Sequence, residues 1–282
     1  MIVKSFAKIN LSLKVKGVHD DGYHELEMIN LPISLHDVIE IQYSPYFPDT
    51  YITCDDLALM GMKSNLCTRA VDAMREKYHF KENFSIHIHK EIPFAAGLGG
   101  GSSNAAATML ALNKILKLNA SNEELAEIGK SLGADVPFFF NLKPTKVEGI
   151  GEIFTPIKVK NKYHCLIVKP EEGLSTKEVY AKSNELGKEN IDTDGVIKGL
   201  EDGDDSLIAS SRGNDLYPAA LALLPKVGDI VTSLKEDGFE IAAMSGSGSS
   251  CYALTTNAKK AAKAERKYEK LGYIVRLCEV LN

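Results

Sequence analysis

The chain has 282 residues, 44% hydrophobic and 25% charged, with a formal net charge of −5; this profile fits one large or two modest globular domains rather than the disordered or membrane classes. The acidic total argues against nucleic acid as a partner, though a local basic pocket for a charged small molecule is still possible. Its five cysteines form no Cys-x-x-Cys pair, and neither a signal-type apolar segment nor a run of spanning length is present, so a reduced, cytoplasmic protein with no membrane partner is expected.

Residues 6–15 alternate, with Ala7, Ile9, Leu11, Leu13 and Val15 on one face and Lys8, Asn10, Ser12 and Lys14 on the other, the pattern of a half-buried strand. Asp20-Asp21-Gly22 is a turn signal leading into Tyr23-His24-Glu25. Strands are expected at 27–33 and 38–43, and a helix at 65–78 with Ser64 as its cap. In the strand expected at 84–89, Phe84, Ile86 and Ile88 alternate with Ser85, His87 and His89. The two histidines could pair on a metal, but the sequence shows no third ligand beside them, so a solvated face is expected and no metal ligand is assigned.

That strand feeds Pro93-Phe94-Ala95-Ala96-Gly97-Leu98-Gly99-Gly100-Gly101-Ser102-Ser103, followed by Asn104 and three alanines. The glycines let backbone approach a ligand closely, and Ala105, Met109, Leu112 and Leu116 mark a helix for which Ser102 or Ser103 is the expected cap. A glycine loop running into a helix N-terminus is an anion site, suited to a phosphate chain. It is no Walker loop: the one Gly-Lys-Ser, at 129–131, has Glu124 where the first glycine belongs. Nor is it a dinucleotide fingerprint, because Ser102 takes the last glycine position.

Ser121-Asn122-Glu123-Glu124 reads as a capping box, and Gly133 as the stop of its helix, directly before Asp135-Val136-Pro137. A domain boundary is expected near 157, giving domains 1–157 and 158–282. The second half reads as a strand at 164–168, helices at 177–186 and 194–200, an acidic loop at 201–205, and helices from 215 and at 226–237. Strands at 239–244 and 251–255 flank Ser245-Gly246-Ser247-Gly248-Ser249-Ser250, and a basic helix at 258–271 precedes a last strand at 273–280. The class is α+β.

Two glycine loops suggest two phosphate-bearing groups, and phosphoryl transfer needs positioning, charge stabilisation and a proton acceptor. Lys8 and Asp135 are the candidates. Each has a plain alternative: a solvated lysine, and a carboxylate that merely caps the helix begun by Pro137.

Phe6-Ala7-Lys8-Ile9-Asn10-Leu11, Asp21-Gly22-Tyr23-His24-Glu25-Leu26, the 93–103 loop, 133–139 and 244–249 occur in this order. Together they resemble the GHMP kinase superfamily over nearly the whole chain. Asp-Gly-Tyr-His narrows the resemblance to the branch acting on a cytidine-diphosphate-linked methylerythritol in the non-mevalonate isoprenoid pathway.

The resemblance implies a two-domain fold, ribosomal S5 domain 2-like then ferredoxin-like, and a kinase that uses ATP and Mg2+. It implies Lys8 and Asp135 as the catalytic pair, residues 93–103 as the ATP loop, and Asn65, Leu66 and Lys90 at the adenosine. For the acceptor it implies Asn10 at the erythritol, Tyr23 and His24 at the cytosine, Thr176 at a phosphate and Tyr180 as a second stacking ring. A monomer or weak homodimer is expected.

The chain departs from the family at Asn104, where an aspartate is usual, and at Asn141-Leu142-Lys143-Pro144, where a glycine pair is expected. The arginine common before Asp-Gly-Tyr-His is also absent. Another GHMP kinase, acting on homoserine, mevalonate or a sugar, and a non-catalytic ligand sensor are the competing readings.

Overall fold

The computed structural model describes residues 1–18, 24–55 and 65–282. Strand β1 (Ile2–Val18) extends beyond the expected span at both ends, and Lys8, Asn10 and Ser12 on its polar face are buried. The strand is therefore enclosed on both sides over this stretch, and its polar face is internal rather than solvated.

The two strands expected at 27–33 and 38–43 are one, β2 (His24–Tyr43). Asp37 obscured this, because it takes an inward position between Leu35 and Ile39 where the alternation calls for an apolar residue. Short β3 (Tyr51–Cys54), which the sequence did not announce, runs parallel to β4 (Phe84–His89), and β4 runs antiparallel to β2 with Ile39 opposite Ile88 and Ile41 opposite Ile86. Between them lies α1 (Leu66–Tyr78), capped by Asn65 and not by Ser64, which lies outside the described residues.

Next come α2 (Gly100–Ile115), α3 (Asn122–Lys130) with the expected Ser121/Glu124 capping box, and a 3-10 turn over Pro137–Phe140. The chain continues through the antiparallel pair β5 (Thr145–Gly149) and β6 (Ile153–Pro156), β5 also pairing with the first half of β2.

The second half is β7 (His164–Lys169), α4 (Thr176–Ser183), α5 (Thr193–Asp202), α6 (Asp205–Ser211), α7 (Tyr217–Leu223), α8 (Lys226–Glu236), β8 (Ile241–Met244), β9 (Cys251–Thr255), α9 (Ala258–Lys270) and β10 (Ile274–Glu279). The acidic 201–205 segment is a loop only at Gly203 and Asp204, between the end of α5 and the start of α6. Asp204 caps α6 by accepting from Leu207 N and Asp205 lies in its first turn, where the helix dipole favours negative charge. Strands β10, β7, β9 and β8 form an antiparallel sheet in that order. Its apolar side chains, Leu166 and Val168 among them, join Val227, Ile230, Leu234 and Tyr268 in one core.

By contact the chain divides into two compact units, each assembled from separate segments. The first holds Met1–Ala7, His36–Ile92 and Gly99–Leu142; the second holds Lys8–Leu35, Pro93–Leu98 and Lys143–Asn282. Residue 157 falls within the last of these segments. Among the described residues no helix is long and apolar enough to cross a membrane.

Candidate active site

In the first unit, α2 begins inside the glycine run, three residues before the expected serine caps. Gly99 is its N-cap at φ 71, and no side chain caps the end. The first backbone group to bond back is Ser103 N, to Gly99 O at 2.9 Å. The N–H groups of residues 100–102 thus have no acceptor within the helix, and its positive dipole end lies over them.

Three other elements converge on this turn. A Cβ built on Gly101 would lie 3.6 Å from Leu66 at the start of α1, and one on Gly100 would lie 3.5 Å from Lys90 Nζ. One on Gly133, in the turn that carries Asp135, would lie 4.0 Å from Ser102 Oγ. Asp135 is half-buried, and the 3-10 helix after it takes Val136 as N-cap without a side-chain cap bond. Val136, one residue beyond Asp135, is thus the N-cap position of that helix. The Asn65 carboxamide oxygen, by contrast, is a cap, accepting from Cys67 N at 2.8 Å.

Behind the turn lies a buried polar network. Asp37 is fully buried and accepts four hydrogen bonds. Its Oδ1 takes Glu91 N and Ile92 N at 2.9 and 2.8 Å, and its Oδ2 takes Lys90 Nζ and Asn104 Nδ2 at 2.5 and 2.8 Å. Asn104 Nδ2 also donates to Ser5 Oγ at 2.8 Å, and Ser5 Oγ to Ser103 Oγ at 2.7 Å. Asn104 is therefore matched to Asp37, since an aspartate at 104 would set two carboxylates against each other. The Lys90 ammonium, expected at the adenosine, is engaged with Asp37.

In the second unit the two glycine loops pack on each other. Ser245 Oγ donates to Gly97 O at 2.9 Å, while Ser249 N and Ser250 N donate to Ala95 O and Ala96 O at 3.4 and 3.3 Å. Lys8 N donates to Leu98 O at 3.0 Å and Lys8 Nζ to Asn10 Oδ1 at 2.5 Å. Asn10 is buried, its Nδ2 donating to Asn30 Oδ1 at 2.7 Å. Its carboxamide thus holds Lys8, which is no solvated lysine.

Thr176 Oγ1 lies 2.9 Å from Ser247 Oγ, joining α4 to the second glycine loop. The rings of His24 and Tyr180 are 4.6 Å apart and tilted by 46°, so two residues expected at the base do meet. His24 Nε2 also lies 3.4 Å from Asn184 Oδ1. Tyr23 lies outside the described residues. Phe94 is 52% exposed, unusual for a large ring and available for contact with a ligand.

Sequence reasoning missed the residues that hold these parts in place. Asn214 Nδ2 donates to Gly246 O at 2.9 Å, and Lys169 Nζ, drawn below its ordinary pKa by burial, donates to the carbonyls of Pro170, Glu171 and Glu172. Asp37 and Asn30 share one legible signal, a polar residue amid apolar neighbours, whereas Asn214, between Gly213 and Asp215, carries none.

The glycines are not equivalent, and a pair of variants separates them. A Cβ on Gly97, at φ 71, would fall 2.0 Å from Ser245 O, while one on exposed Gly101 meets only Leu66 at ordinary contact distance. Gly97→Ala should lose about 1–3 kcal/mol of stability by overpacking. Gly101→Ala should keep its melting temperature yet weaken binding of a phosphate chain about tenfold, because the methyl stands beside the open N–H groups of that turn. Equal loss of stability in both would make the loop structural. Gly100 is a poorer probe, since its Cβ would press on Ile92 at 3.0 Å.

Comparison with known proteins matches residues 65–141 to the GHMP kinases N terminal domain and 196–274 to the GHMP kinases C terminal domain. The 4-diphosphocytidyl-2-C-methyl-D-erythritol kinase of Thermoanaerobacter pseudethanolicus is 39% identical over 263 residues, covering 93% of this chain and 90% of that one. The Chlorobium phaeobacteroides enzyme of the same name is 37% identical over 280 residues, covering 98% and 93%. A crystal structure of 4-(cytidine 5'-diphospho)-2C-methyl-D-erythritol kinase superposes over all of both chains with a TM-score of 0.81 at 27% identity. Homoserine kinase from Cytophaga hutchinsonii shares the fold, with a TM-score of 0.74 at 19% identity, covering 99% and 94%.

Proposed function

The chain belongs to the 4-diphosphocytidyl-2-C-methyl-D-erythritol kinase family of GHMP kinases, and from that premise we propose how its residues perform the transfer. It is an ATP-dependent phosphotransferase acting on the 2-hydroxyl of the cytidine-diphosphate-linked methylerythritol, in the non-mevalonate route to isoprenoid precursors. The fold is α+β, with a ribosomal S5 domain 2-like and a ferredoxin-like module. We take these modules as 1–157 and 158–282.

The observation that best supports the mechanism is the uncapped first turn of α2 with the Asp135 turn beside it. ATP fits there: residues 93–103 wrap its phosphates, N–H groups 100–102 meet them, and Asn65 and Leu66 border the adenosine. Lys90 supports that pocket through Asp37 rather than by its own ammonium.

Asp135 takes the proton of the acceptor hydroxyl as the oxygen forms its bond to the γ-phosphorus and the bond to the ADP oxygen breaks. The Lys8 ammonium offsets charge on the moving phosphoryl group. Asn10 reaches the erythritol end by orienting Lys8, and Thr176 meets a substrate phosphate together with Ser247. Magnesium bound to ATP would neutralise phosphate charge. Asn104 is a poor holder for it, because its amide donates to Asp37 and its oxygen faces Lys90 Nζ at 3.5 Å.

His24 and Tyr180, with Tyr23, form the cytosine pocket: the rings stack and the imidazole reads the polar edge. A coupled assay of ADP release tests this reading with cytidine- and uridine-diphosphate-linked acceptors and an acceptor without nucleotide. Tyr180→Ala should weaken both nucleotide substrates alike by about 1–3 kcal/mol of stacking. His24→Ala should narrow the gap between them, because uridine reverses donor and acceptor on the pairing edge. Equal use of all three acceptors by the wild type would return the chain to the broader GHMP class. Five buried free thiols suit a reducing cytoplasm, and we propose a monomer or weak homodimer there.

A further inference from the structure

The first unit carries a cluster of metal-ligating side chains that the kinase reaction does not use. It lies on the outer face of β2, β4 and β3, whose inner face buries Ile39, Ile41, Ile86 and Ile88. In register, Glu40 of β2 and Thr53 of β3 both lie opposite His87 on the central strand β4. His89 is two residues on, and Asp55 follows the end of β3. One donor atom from each of Asp55, His87 and His89 falls within 4.8 Å of the others. The third ligand, which the sequence did not show, comes from a strand it did not announce.

Oxygen partners engage one nitrogen of each ring. His89 Nε2 lies 3.3 Å from Glu40 Oε1; a carboxylate accepts only, so Nε2 carries the proton. Its other nitrogen, Nδ1, faces Asp55 Oδ2 at 3.5 Å. His89 thus stands between two carboxylates, an arrangement that a cation on its Nδ1 side, either a second ring proton or a metal ion, completes.

Asp55 is held for this purpose: its Oδ1 accepts from Lys90 N at 2.9 Å, which leaves Oδ2 to the histidine. His87 Nδ1 lies 2.7 Å from Thr53 Oγ1, which also lies 3.5 Å from Ile86 O. With Nδ1 of His87 engaged by Thr53, Nε2 is the nitrogen left for a ligand. Each imidazole thus has one nitrogen tied from behind by an oxygen and one left as a ligand, the outer-shell pattern of protein metal sites.

We propose that Asp55 Oδ2, His87 Nε2 and His89 Nδ1 bind one divalent cation of the zinc class, with water as the fourth ligand and with Glu40 and Thr53 orienting the rings. Tetrahedral ligands at about 2.0–2.1 Å from zinc stand roughly 3.4 Å apart. The His89–Asp55 pair already has that spacing, and one donor atom of His87 lies within 4.8 Å of both. Two imidazoles and one carboxylate select Zn2+, or Co2+ and Ni2+ in its place, over the oxygen-seeking Mg2+ that accompanies ATP.

The test uses the full, untagged chain, titrated with Zn2+ by calorimetry and with Co2+ by visible absorption, in excess Mg2+. One equivalent should bind per chain. His87→Ala and His89→Ala should each weaken binding at least tenfold, Glu40→Gln by about tenfold as an outer-shell change, and His164→Ala not at all. All four positions are at least partly exposed, and unchanged melting temperatures and ADP release with Mg2+-ATP should show that the variants fold. The proposal falls if no cation of this class binds, or if affinity survives loss of both His87 and His89. It also falls if nitrogen-15 spectra show both His89 nitrogens protonated in the presence of Zn2+, since a proton would then occupy the place assigned to the metal.

Discussion

Asp135→Asn is expected to lower kcat by roughly 10²- to 10⁴-fold, the scale of a positioned general base, while melting temperature and ATP affinity hold. The carboxylate is half-buried in the turn between α3 and the Pro137–Phe140 helix, whose N-cap position is Val136. Asparagine preserves its size and shape and can still accept a hydrogen bond. What asparagine cannot do is receive a proton near neutral pH. The loss should fall on kcat, with KM for both substrates nearly constant, as for an interaction made only in the transition state. An ADP-release assay beside a thermal melt distinguishes the outcomes. A fall in melting temperature with kcat intact would make Asp135 structural and leave proton transfer to another group.

Asp37→Ala is expected to cost about 3–5 kcal/mol of stability, the usual consequence of leaving a buried charge without its partner. Asp37 is fully buried and the Lys90 side chain is 10% exposed, with 2.5 Å between them. Two backbone N–H groups and the Asn104 amide lose the same acceptor. The double variant Asp37→Ala/Lys90→Met should recover part of the loss in urea unfolding, because it removes the stranded ammonium as well. If single and double variants lose the same amount, the cost lies in the hydrogen bonds to residues 91, 92 and 104. Nucleotide affinity should fall in step with stability, since the chain Asp37–Asn104–Ser5–Ser103 ends at the first turn of α2.

The amino-acid sequence by itself determined the helix that follows the glycine loop, the Ser121/Glu124 capping box, most elements of the second half and the kinase family. These rest on local chemistry: turn residues, capping pairs and side-chain periodicity act over a few residues, and ordered motifs carry the family. Local signals failed where a residue's role is set by partners distant in the chain. Asp37 looked like a break between two strands, because only the folded chain brings it Lys90 and Asn104. Lys8 and Asn10 looked like a wet strand face, because burial of that face depends on elements that come much later in sequence. Ser102 and Ser103 looked like caps, yet Gly99, free to adopt positive φ, starts the helix earlier and leaves N–H groups 100–102 open. His24 and Tyr180 lie 156 residues apart in the chain, and their rings meet only through tertiary packing. Asp55 beside His89 was likewise beyond reach, because β3 is too short to announce itself and its pairing with β4 is parallel, which no local turn encodes.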